Sequence, residues 1–173
     1  MPPTVVRIAR DTETERVREL LAAAYGQYET AFPRENWLRY LDDILDVDSR
    51  RDVSTTLVAE IDDLVVGCVS YYPPGAQTSY PSESYSEHWP TEWSAIRLLA
   101  VGPSARGKGV GRTLTEACID RSRSDGAVAI GLHTTQEMAV ARAMYERMGF
   151  VRAPAYDFQP GPQICVEAYQ LPL

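Results

Sequence analysis

The sequence predicts an α/β fold, namely a mixed, mostly antiparallel sheet of six to seven strands with helices on both faces. The first observation is the order of the patterns along the chain, which reads β-α-α-β-β-β-α-β-α-β-β. The second is that neither a linker nor an internal repeat divides the 173 residues, a length that suits one domain. Residues 1–173 are therefore expected to form a single domain.

The first part of the chain carries a short strand pattern and two helical patterns. Residues 4–9 are rich in β-forming residues, and Thr12 followed by Glu15 has the spacing of a capping box that starts a helix. The apolar positions of this helix are Val17, Leu20, Leu21 and Ala24. A second helix is predicted over residues 34–47. Its apolar side is formed by Trp37, Leu38, Leu41, Ile44 and Leu45.

A hairpin and a long loop are expected next. Thr55–Ile61 and Leu64–Tyr72 are strand patterns joined by Asp62-Asp63, a two-residue turn signal. Residues 73–92 contain four prolines and no periodic pattern, so an irregular loop is predicted there. The longer stretch from Tyr71 to Trp93 holds six aromatic side chains: Tyr71, Tyr72, Tyr80, Tyr85, Trp89 and Trp93. Such rings suit a substrate lid, a homodimer contact or simple anchoring of the loop.

The second half of the chain alternates strands and helices. Strands are predicted at Trp93–Val101 and 127–134, and helices at Val110–Ser124 and 137–148. Gly149 follows the last helix as a C-terminal cap. The final two strands are expected over 150–158 and 163–171, on either side of a Pro-Gly-Pro turn.

Composition excludes several classes of protein. The net charge of −7 offers no basic footprint for nucleic acid, and no apolar run approaches the roughly 20 residues that cross a membrane. No apolar run near the N-terminus suits a signal peptide, so a cytoplasmic location is expected. Three scattered cysteines and two histidines give no disulfide framework and no metal-ligand spacing, so no metal is expected.

The charge is unevenly distributed along the chain. Residues 1–100 hold 9 Lys or Arg and 17 Asp or Glu, a net of −8, whereas residues 101–173 have a net of +1. The acidic part favours a cationic ligand by long-range attraction. A solvated acidic surface that serves solubility explains the same numbers.

The segment with the clearest chemistry is the turn Arg106-Gly107-Lys108-Gly109-Val110-Gly111, where a predicted strand leads into a predicted helix. Glycines let the backbone approach a ligand, and the start of a helix presents free N–H groups and a positive dipole end. Arg106, Lys108 and Arg112 add positive charge. This turn is therefore a candidate site for a pyrophosphate.

Three nucleotide-type motifs compete for this turn. A Rossmann fingerprint fails because Arg112 stands where its third glycine belongs. A Walker loop has the right spacing from Gly102 to Lys108, but Gly109 replaces the hydroxyl residue that holds magnesium. The coenzyme A loop R/Q-x-x-G-x-G/A is satisfied in full by Arg106, Gly109 and Gly111.

Together with a second motif, this turn makes the chain resemble the GNAT superfamily of N-acetyltransferases. The second motif is Ala141-Arg142-Ala143-Met144-Tyr145-Glu146-Arg147-Met148-Gly149-Phe150, which is similar to the family's A-x-x-[LFM]-Y-x-x-x-G-F signature. The resemblance is firm over residues 93–158. Over residues 1–92 only the order of elements agrees.

The resemblance implies that acetyl-CoA binds between two splayed strands, with Tyr145 donating a proton to the leaving thiolate. A core tyrosine is the alternative interpretation of Tyr145, which shares a helix face with Ala141 and Met148. Met138 stands where many members have an asparagine that contacts the cofactor. The implied cofactor-binding residues are Leu99, Ala100, Val101, Arg106, Gly107, Lys108, Gly109, Val110, Gly111, Arg112, Met138 and Tyr145.

The proton of the attacking amine needs an acceptor, because an alkylamine with a pKa of about 10.4 is protonated at pH 7. The family often has a glutamate at the position of Ala95, and Glu92, three residues upstream, is the candidate general base. Glu87, His88 and a water chain are alternatives. Glu92 equally fits an exposed loop carboxylate.

The acceptor side is less marked in the sequence. Arg97 is expected on the strand face opposite Ile96 and Leu98, either orienting an acidic substrate or forming a salt bridge. Candidate substrate-binding residues are aromatic, and each of them also suits core packing: Tyr25, Tyr28, Phe32, Tyr71 and Trp93.

The expected function is transfer of an acetyl group from acetyl-CoA to an amine, most simply that of a small and cationic molecule, by direct attack on the thioester. A non-catalytic protein that binds acyl-CoA is the alternative with the same loop. A nucleotide phosphotransferase built on the near-Walker loop is the third hypothesis. The expected partners are acetyl-CoA and an amine, with neither nucleic acid nor membrane, and the aromatic loop is compatible with a homodimer.

Overall fold

The computed structural model describes residues 3–76, 78–79, 86–161 and 163–173. The strands are β1 (Val5–Ile8), β2 (Thr55–Ile61), β3 (Leu64–Tyr72), β4 (Thr78–Ser79), β5 (Ser86–Glu87), β6 (Trp93–Val101), β7 (Ala129–Thr134), β8 (Val151–Arg152), β9 (Phe158–Gly161) and β10 (Ile164–Pro172). The α-helices are α1 (Thr14–Tyr25), α2 (Arg34–Leu45), α3 (Val110–Ser124) and α4 (Ala139–Arg147).

Eight strands form one sheet, and they confirm the predicted mixed α/β class. The order is β1-β2-β3-β6-β7-β10-β8, with β9 pairing to β10. Neighbouring strands in the sheet are antiparallel except β6 and β7, which are parallel. The one parallel pair therefore lies at the centre of the sheet, between two antiparallel halves.

The hairpin of β2 and β3 turns at the predicted residues. Asp62 (φ 50°) and Asp63 (φ 61°) both have left-handed backbone conformations, as a tight two-residue hairpin turn requires. Aspartate tolerates this conformation better than most residues, and for this reason the Asp-Asp pair predicted the turn correctly.

The N-terminus of α1 differs from the prediction. A single 3-10 turn over Asp11–Glu13 precedes the helix, and Thr12 lies within this turn instead of capping α1. The Glu13 carboxylate accepts a hydrogen bond from the Arg10 backbone N–H at 2.7 Å. Glu13 also pairs with Arg7 of β1 at 2.7 Å, and that cross-link between strand and helix fixes where α1 begins.

The sheet carries a core on each face. On one face, α1 and α2 pack through Val17, Leu20, Leu21, Trp37 and Ile44. On the other face, α3 and the segment after α4 pack through Val110, Leu114, Cys118, Ile119 and Phe150. Helices on both faces were predicted. The predicted apolar side of α2 was less accurate, because Leu38, one of its residues, is 48% exposed.

The segment after α4 is more broken than predicted. The expected strand over 150–158 divides into β8, a 3-10 turn at Pro154–Tyr156 and β9. Asp157 stabilises this break, because its carboxylate accepts hydrogen bonds from the Arg152 guanidinium at 2.7 and 2.8 Å and from the Ala168 N–H at 2.7 Å. The extra strand gives eight in the sheet where six to seven were expected.

The loop before β6 holds the short pair β4 and β5 and ends against the sheet. Trp89 lies over Gly131 of β7 and stacks on Trp93, with ring centroids 5.7 Å apart. Trp89 therefore anchors the end of this loop. Tyr80 and Tyr85 lie outside the described residues. Within the described ranges, no helix is both long and apolar enough to span a bilayer.

Candidate functional site

The two central strands separate where the site begins. β6 and β7 are paired only from Trp93 with Ala129 to Ile96 with Leu132, although β6 continues to Val101. The splayed strand pair that the sequence resemblance implied is therefore present. Beyond Ile96, the edge of β6 that faces β7 is left open, and this gap forms the floor of a cleft.

A bulge in β6 sits at the point of separation. Ser70 pairs with Arg97 and Cys68 with Ala100, so two residues of β6 lie opposite Val69 alone. Leu98 takes a left-handed conformation (φ 56°), which is uncommon for a leucine. Leu98 consequently lies on the α1 face together with Arg97, where regular alternation predicted opposite faces.

The glycine-rich turn has the backbone that an anion site needs. Gly107 (φ 74°) and Gly109 (φ 80°) are left-handed, and a Cβ at either position would meet no atom within 4 Å. The first hydrogen bond of α3 runs from the Thr113 N–H to the Gly109 carbonyl oxygen at 3.0 Å. The N–H groups of Val110, Gly111 and Arg112 thus precede the helical ladder, as at any helix start, and all three residues line the cleft described next.

The turn and the splayed strands border a cleft of about 670 Å³. Ten of the twelve predicted cofactor residues line it: Leu99, Val101, Arg106, Gly107, Gly109, Val110, Gly111, Arg112, Met138 and Tyr145. Ala100 is buried towards α1, and its side chain is not part of the lining. Lys108 is exposed and is also outside the lining, because its side chain leaves the turn on the solvent side.

Tyr145 is buried on the wall of this cleft. Its side chain is part of the lining, yet the residue is only 6% exposed. Burial raises the pKa of Tyr145 above the ordinary value of a tyrosine, because the phenolate is poorly solvated there. A tyrosine carries its proton at neutral pH in any case, so its position on the cleft wall, not the direction of its pKa, makes Tyr145 a candidate general acid. The packing of Tyr145 against Phe150, at 5.6 Å between ring centroids, shows that it is a core residue as well.

A second cavity of about 260 Å³ adjoins the cleft on the α1 and α2 side. The two spaces share seven lining residues, which we call the junction: Tyr25, Ile96, Arg97, Leu98, His133, Thr134 and Met138. The junction lies where β6 and β7 separate. The second cavity is therefore a candidate for the acceptor, since its contents would meet those of the cleft at this point.

Three of the five predicted substrate-binding residues reach these spaces. Tyr25 lines both, Tyr28 lines the cleft and Phe32 lines the second cavity. Tyr71 does not, because it is 1% exposed in the core and its hydroxyl donates to Asp125 at 2.8 Å. Trp93 also lines neither space, since it is the first residue of β6 and packs against Trp89 and Tyr156.

Glu92, the predicted general base, is not brought to the site. It is exposed in the turn before β6, at the opposite end of the strand from the bulge, and it lines neither space. Its carboxylate accepts a hydrogen bond from the Thr91 hydroxyl at 3.3 Å. The three-residue offset from Ala95 explains this position, because it moves the carboxylate out of the strand. His88 is exposed and outside both linings, and the side chain of Glu87 lies outside the description.

Several lining residues of the second cavity were missed in the sequence. Asn36, Arg39, Tyr40 and Asp42 come from α2, and Phe158, Pro160, Ile164 and Val166 come from β9 and β10. The period of α2 identified its buried side, but not the polar side that borders a cavity. For β9 and β10, no pattern in the chain shows that strands so distant reach α2.

A buried ion pair underlies the second cavity. The Arg97 guanidinium lies 2.9 Å from the Asp43 carboxylate of α2, and the side chains are 5% and 9% exposed. The salt bridge was one of the two interpretations of Arg97 left open by the sequence. Because 54 residues separate the partners, the identity of the carboxylate comes only from the fold.

A model of a known protein family matches the part of the chain that forms most of this cleft. Residues 14–150 match the model of the acetyltransferase (GNAT) family. The chain belongs to this family. Acetyl-CoA is the ligand that the family implies, and the N–H groups that precede the helical ladder of α3 fit its diphosphate. Among the described residues, no cluster of three potential metal ligands occurs.

The relatives carry different acetyltransferase names. An IAA acetyltransferase of Azospirillum brasilense is 31% identical over 134 residues, which cover 72% of this chain and 78% of the relative. A mycothiol acetyltransferase of Beutenbergia cavernae is 44% identical over 55 residues, 32% of this chain. This chain spans only 18% of the length of that relative.

Solved structures share the fold across the whole chain. A GNAT family acetyltransferase from Brucella melitensis in complex with acetyl-CoA has a TM-score of 0.62 and 19% identity, covering 100% of this chain and 90% of the other. An acetyltransferase from Bacillus subtilis in complex with CoA has a TM-score of 0.65 and 18% identity, covering 99% of both chains. At these identities the likeness is one of fold.

Proposed function

We propose that this protein transfers the acetyl group of acetyl-CoA to the amine of a small molecule. The observation that carries the proposal is the junction, where a cleft beginning at a helix start meets a separate, mostly apolar cavity. The volume of about 260 Å³ lies just below the roughly 300 Å³ at which pockets for drug-sized ligands begin, so the cavity suits a small acceptor. Family membership and the bound ligands of its structural neighbours support acetyl-CoA as the donor.

The turn before α3 would hold the diphosphate of the donor. The N–H groups of Val110, Gly111 and Arg112 supply hydrogen bonds, and the helix dipole adds a positive potential. Arg106 and Arg112 line the same end of the cleft. The local positive charge explains how a chain of net charge −7 attracts an anionic ligand.

Tyr145 would act as the general acid. Acetyl-CoA supplies an acyl group activated as a thioester, from which the amine displaces a thiolate. Tyr145 lines the cleft, and as a phenol it carries its proton at neutral pH. Passing that proton to the departing sulfur favours collapse towards the amide, and the phenol then recovers a proton from the acceptor nitrogen by way of water.

The amine itself would lose its proton to water. Among the described residues of the junction there is no carboxylate, and Glu92 lies elsewhere. With a panel of amines, we expect kcat/KM to rise with pH up to the pKa of each amine. A single pKa shared by all amines would instead indicate a base on the protein.

The activity is tested by following thiol release from acetyl-CoA with a panel of primary amines, with Gly109→Glu as the control variant. We expect release that requires both an amine and an intact turn. Calorimetric binding of acetyl-CoA without thiol release for any amine would favour the alternative, a non-catalytic protein that binds acyl-CoA. Failure to bind acetyl-CoA would contradict both functions.

A further inference from the structure

Two groups of apolar residues, distant in sequence, form the walls of the second cavity. The first group comes from α1, α2 and the segment between them, and there the Tyr40 ring lies edge-to-face with the rings of Tyr25 and Phe32, at 5.9 and 6.3 Å between centroids. The second group comes from β9 and β10 and consists of Phe158, Pro160, Ile164 and Val166. A molecule in this cavity therefore meets aromatic and aliphatic surface from both groups.

The polar lining residues lie mostly at two places. Arg39 and Asp42 are exposed at the rim on α2. The others lie where β6 and β7 separate, at the end of the cavity that meets the cleft: Arg97, His133, Thr134 and Thr135. Because the amine must reach the thioester at the junction, polar surface lies where the amine is needed. Apolar surface lies where the rest of the acceptor would be.

The charges of the lining do not favour a further charge on the acceptor. Arg97 already has Asp43 as its counter-charge at 2.9 Å, and both side chains are buried. A carboxylate on the acceptor would meet Asp43 as well as Arg97, and a second ammonium group would meet Arg97. Of the 17 Asp and Glu in residues 1–100, only Asp42 lines the cavity among the residues that the structure describes, and Arg39 offsets its charge. A charge moved from water into such a space without its own counter-charge is costly.

A contact between α2 and β9 limits the size of the acceptor. The Asn36 side-chain amide donates to the Pro160 carbonyl oxygen at 3.4 Å, and both residues line the cavity. A Cβ at Gly161 would lie 2.9 Å from the Asn36 amide nitrogen, so the two elements touch here. The volume of about 260 Å³ then suits a body of one ring on a short chain.

We propose that the acceptor is an arylalkylamine, a primary amine on an uncharged apolar body that bears one ring. The ring lies between the apolar walls, and the amine faces the cleft at the junction. Its nitrogen bonds to the acetyl carbon as the carbon–sulfur bond breaks, the thiolate takes up a proton, and the nitrogen loses one to water. This proposal rests on the proposed acetyltransferase function and names its substrate class.

The first test compares four acceptors with the wild-type protein by thiol release: 2-phenylethylamine, ethylamine, L-phenylalanine and 1,4-diaminobutane. Rates are compared per unprotonated amine, since the pKa of the amine differs among them. We expect kcat/KM for 2-phenylethylamine to exceed that of each other acceptor by about ten- to a hundredfold, the range for burying one apolar ring. Equal or faster acetylation of any of the other three would overturn the proposal and leave the acetyltransferase function standing. No thiol release with any amine would count against the function itself.

The second test assigns the preference to the cavity, through neighbouring residues of β10. Ile164 and Val166 line it, whereas Cys165 between them is exposed and outside both linings, as alternation along a strand requires. Val166→Phe fills the space for the ring, so the ratio of kcat/KM for 2-phenylethylamine to that for ethylamine should fall towards one. Cys165→Phe is the matched control and should keep the ratio. A ratio that stays high in Val166→Phe, or that falls equally in Cys165→Phe, would contradict the proposal.

Ile164→Ala tests the same wall by enlarging the cavity, and acetyl-CoA binding by calorimetry checks that each variant is folded. We expect kcat/KM for 3-phenylpropylamine, relative to 2-phenylethylamine, to rise about fourfold over the wild type, the value of one more buried methylene. If Val166→Phe does not fold, this variant decides. An unchanged preference in Ile164→Ala would overturn the placement of the ring.

Discussion

Gly109 and Gly126 provide a matched pair of residues at the two ends of α3. Both are left-handed, at φ 80° and 75°, and a Cβ at either would meet no atom within 4 Å. Only Gly109 lines the cleft. A substitution therefore strains the backbone similarly at the two sites, by roughly 1–2 kcal/mol, but approaches a ligand at one alone.

We predict that Gly109→Glu weakens acetyl-CoA binding at least tenfold, whereas Gly126→Glu leaves it unchanged. The new carboxylate repels the diphosphate and fills the space in front of the amides. Isothermal titration calorimetry on the two variants gives the comparison. Equal affinities would show that the diphosphate does not bind at this turn.

Tyr145 and Tyr71 test the assignment of the general acid. We predict that Tyr145→Phe lowers kcat by about 10²- to 10⁴-fold with little change in acetyl-CoA affinity. Because burial raises the pKa of Tyr145, its proton stays in place as the pH rises, and wild-type kcat should not fall on the alkaline side between pH 6 and roughly 9. Steady-state kinetics across this range measure both effects.

Tyr71→Phe is the control for that substitution. The Tyr71 hydroxyl donates to Asp125 outside both cavities, so its loss should cost about 1 kcal/mol of unfolding free energy and leave kcat unaltered. Similar losses of kcat in the two variants would argue that Tyr145 acts only through packing.

Among the elements, those with local signals were predicted best. The start of α3 at Val110 and the bounds of β6 agree with the sequence, because glycines and periodicity determine them locally. The bulge at Leu98 was not predicted, since it depends on pairing with β3. Tyr71 lies in the core and lines neither cavity. An aromatic ring in the sequence does not by itself show towards which face of β3 it points.

The contact between the loop before β6 and the sheet gives a prediction for an element. A Cβ at Gly131 would lie 2.8–2.9 Å from three atoms of the Trp89 ring. We predict that Gly131→Ala displaces the ring and costs about 1–3 kcal/mol, measured by urea unfolding. Gly26→Ala is the control, because its Cβ meets no atom within 4 Å and its φ is −53°. A Gly131→Ala protein as stable as the wild type would show that Trp89 does not rest there.

At the scale of the whole molecule, the cleft brings together segments that are distant in sequence. Its lining extends from Ala24 of α1 to Met148 just after α4. The motifs in residues 99–112 and 138–145 predicted ten of its lining residues, because their signals are local. The second cavity was largely missed, since α2, β9 and β10 meet only through tertiary packing.

Ligand binding should consequently stabilise the entire fold. At a concentration of 100 times its Kd, acetyl-CoA is predicted to add about 2.7 kcal/mol and raise Tm by roughly 5–10 °C. Differential scanning fluorimetry measures this shift, and Gly109→Glu should abolish it. A shift with magnesium-ATP in place of acetyl-CoA would revive the phosphotransferase hypothesis.

The bulge gives β6 one residue more than its pairing with β3 needs. Downstream of Leu98, Ala100 faces α1 while Leu99 and Val101 face the cleft side. Deleting Leu98 would leave one residue opposite Val69 and keep these three residues on their present faces, because Arg97 and Leu98 share the α1 face. The glycine-rich turn would then stay in place, whereas the junction would lose the side chain of Leu98. A one-codon deletion at the bulge should therefore disturb the sheet less than one in β7, whose register with β10 is regular.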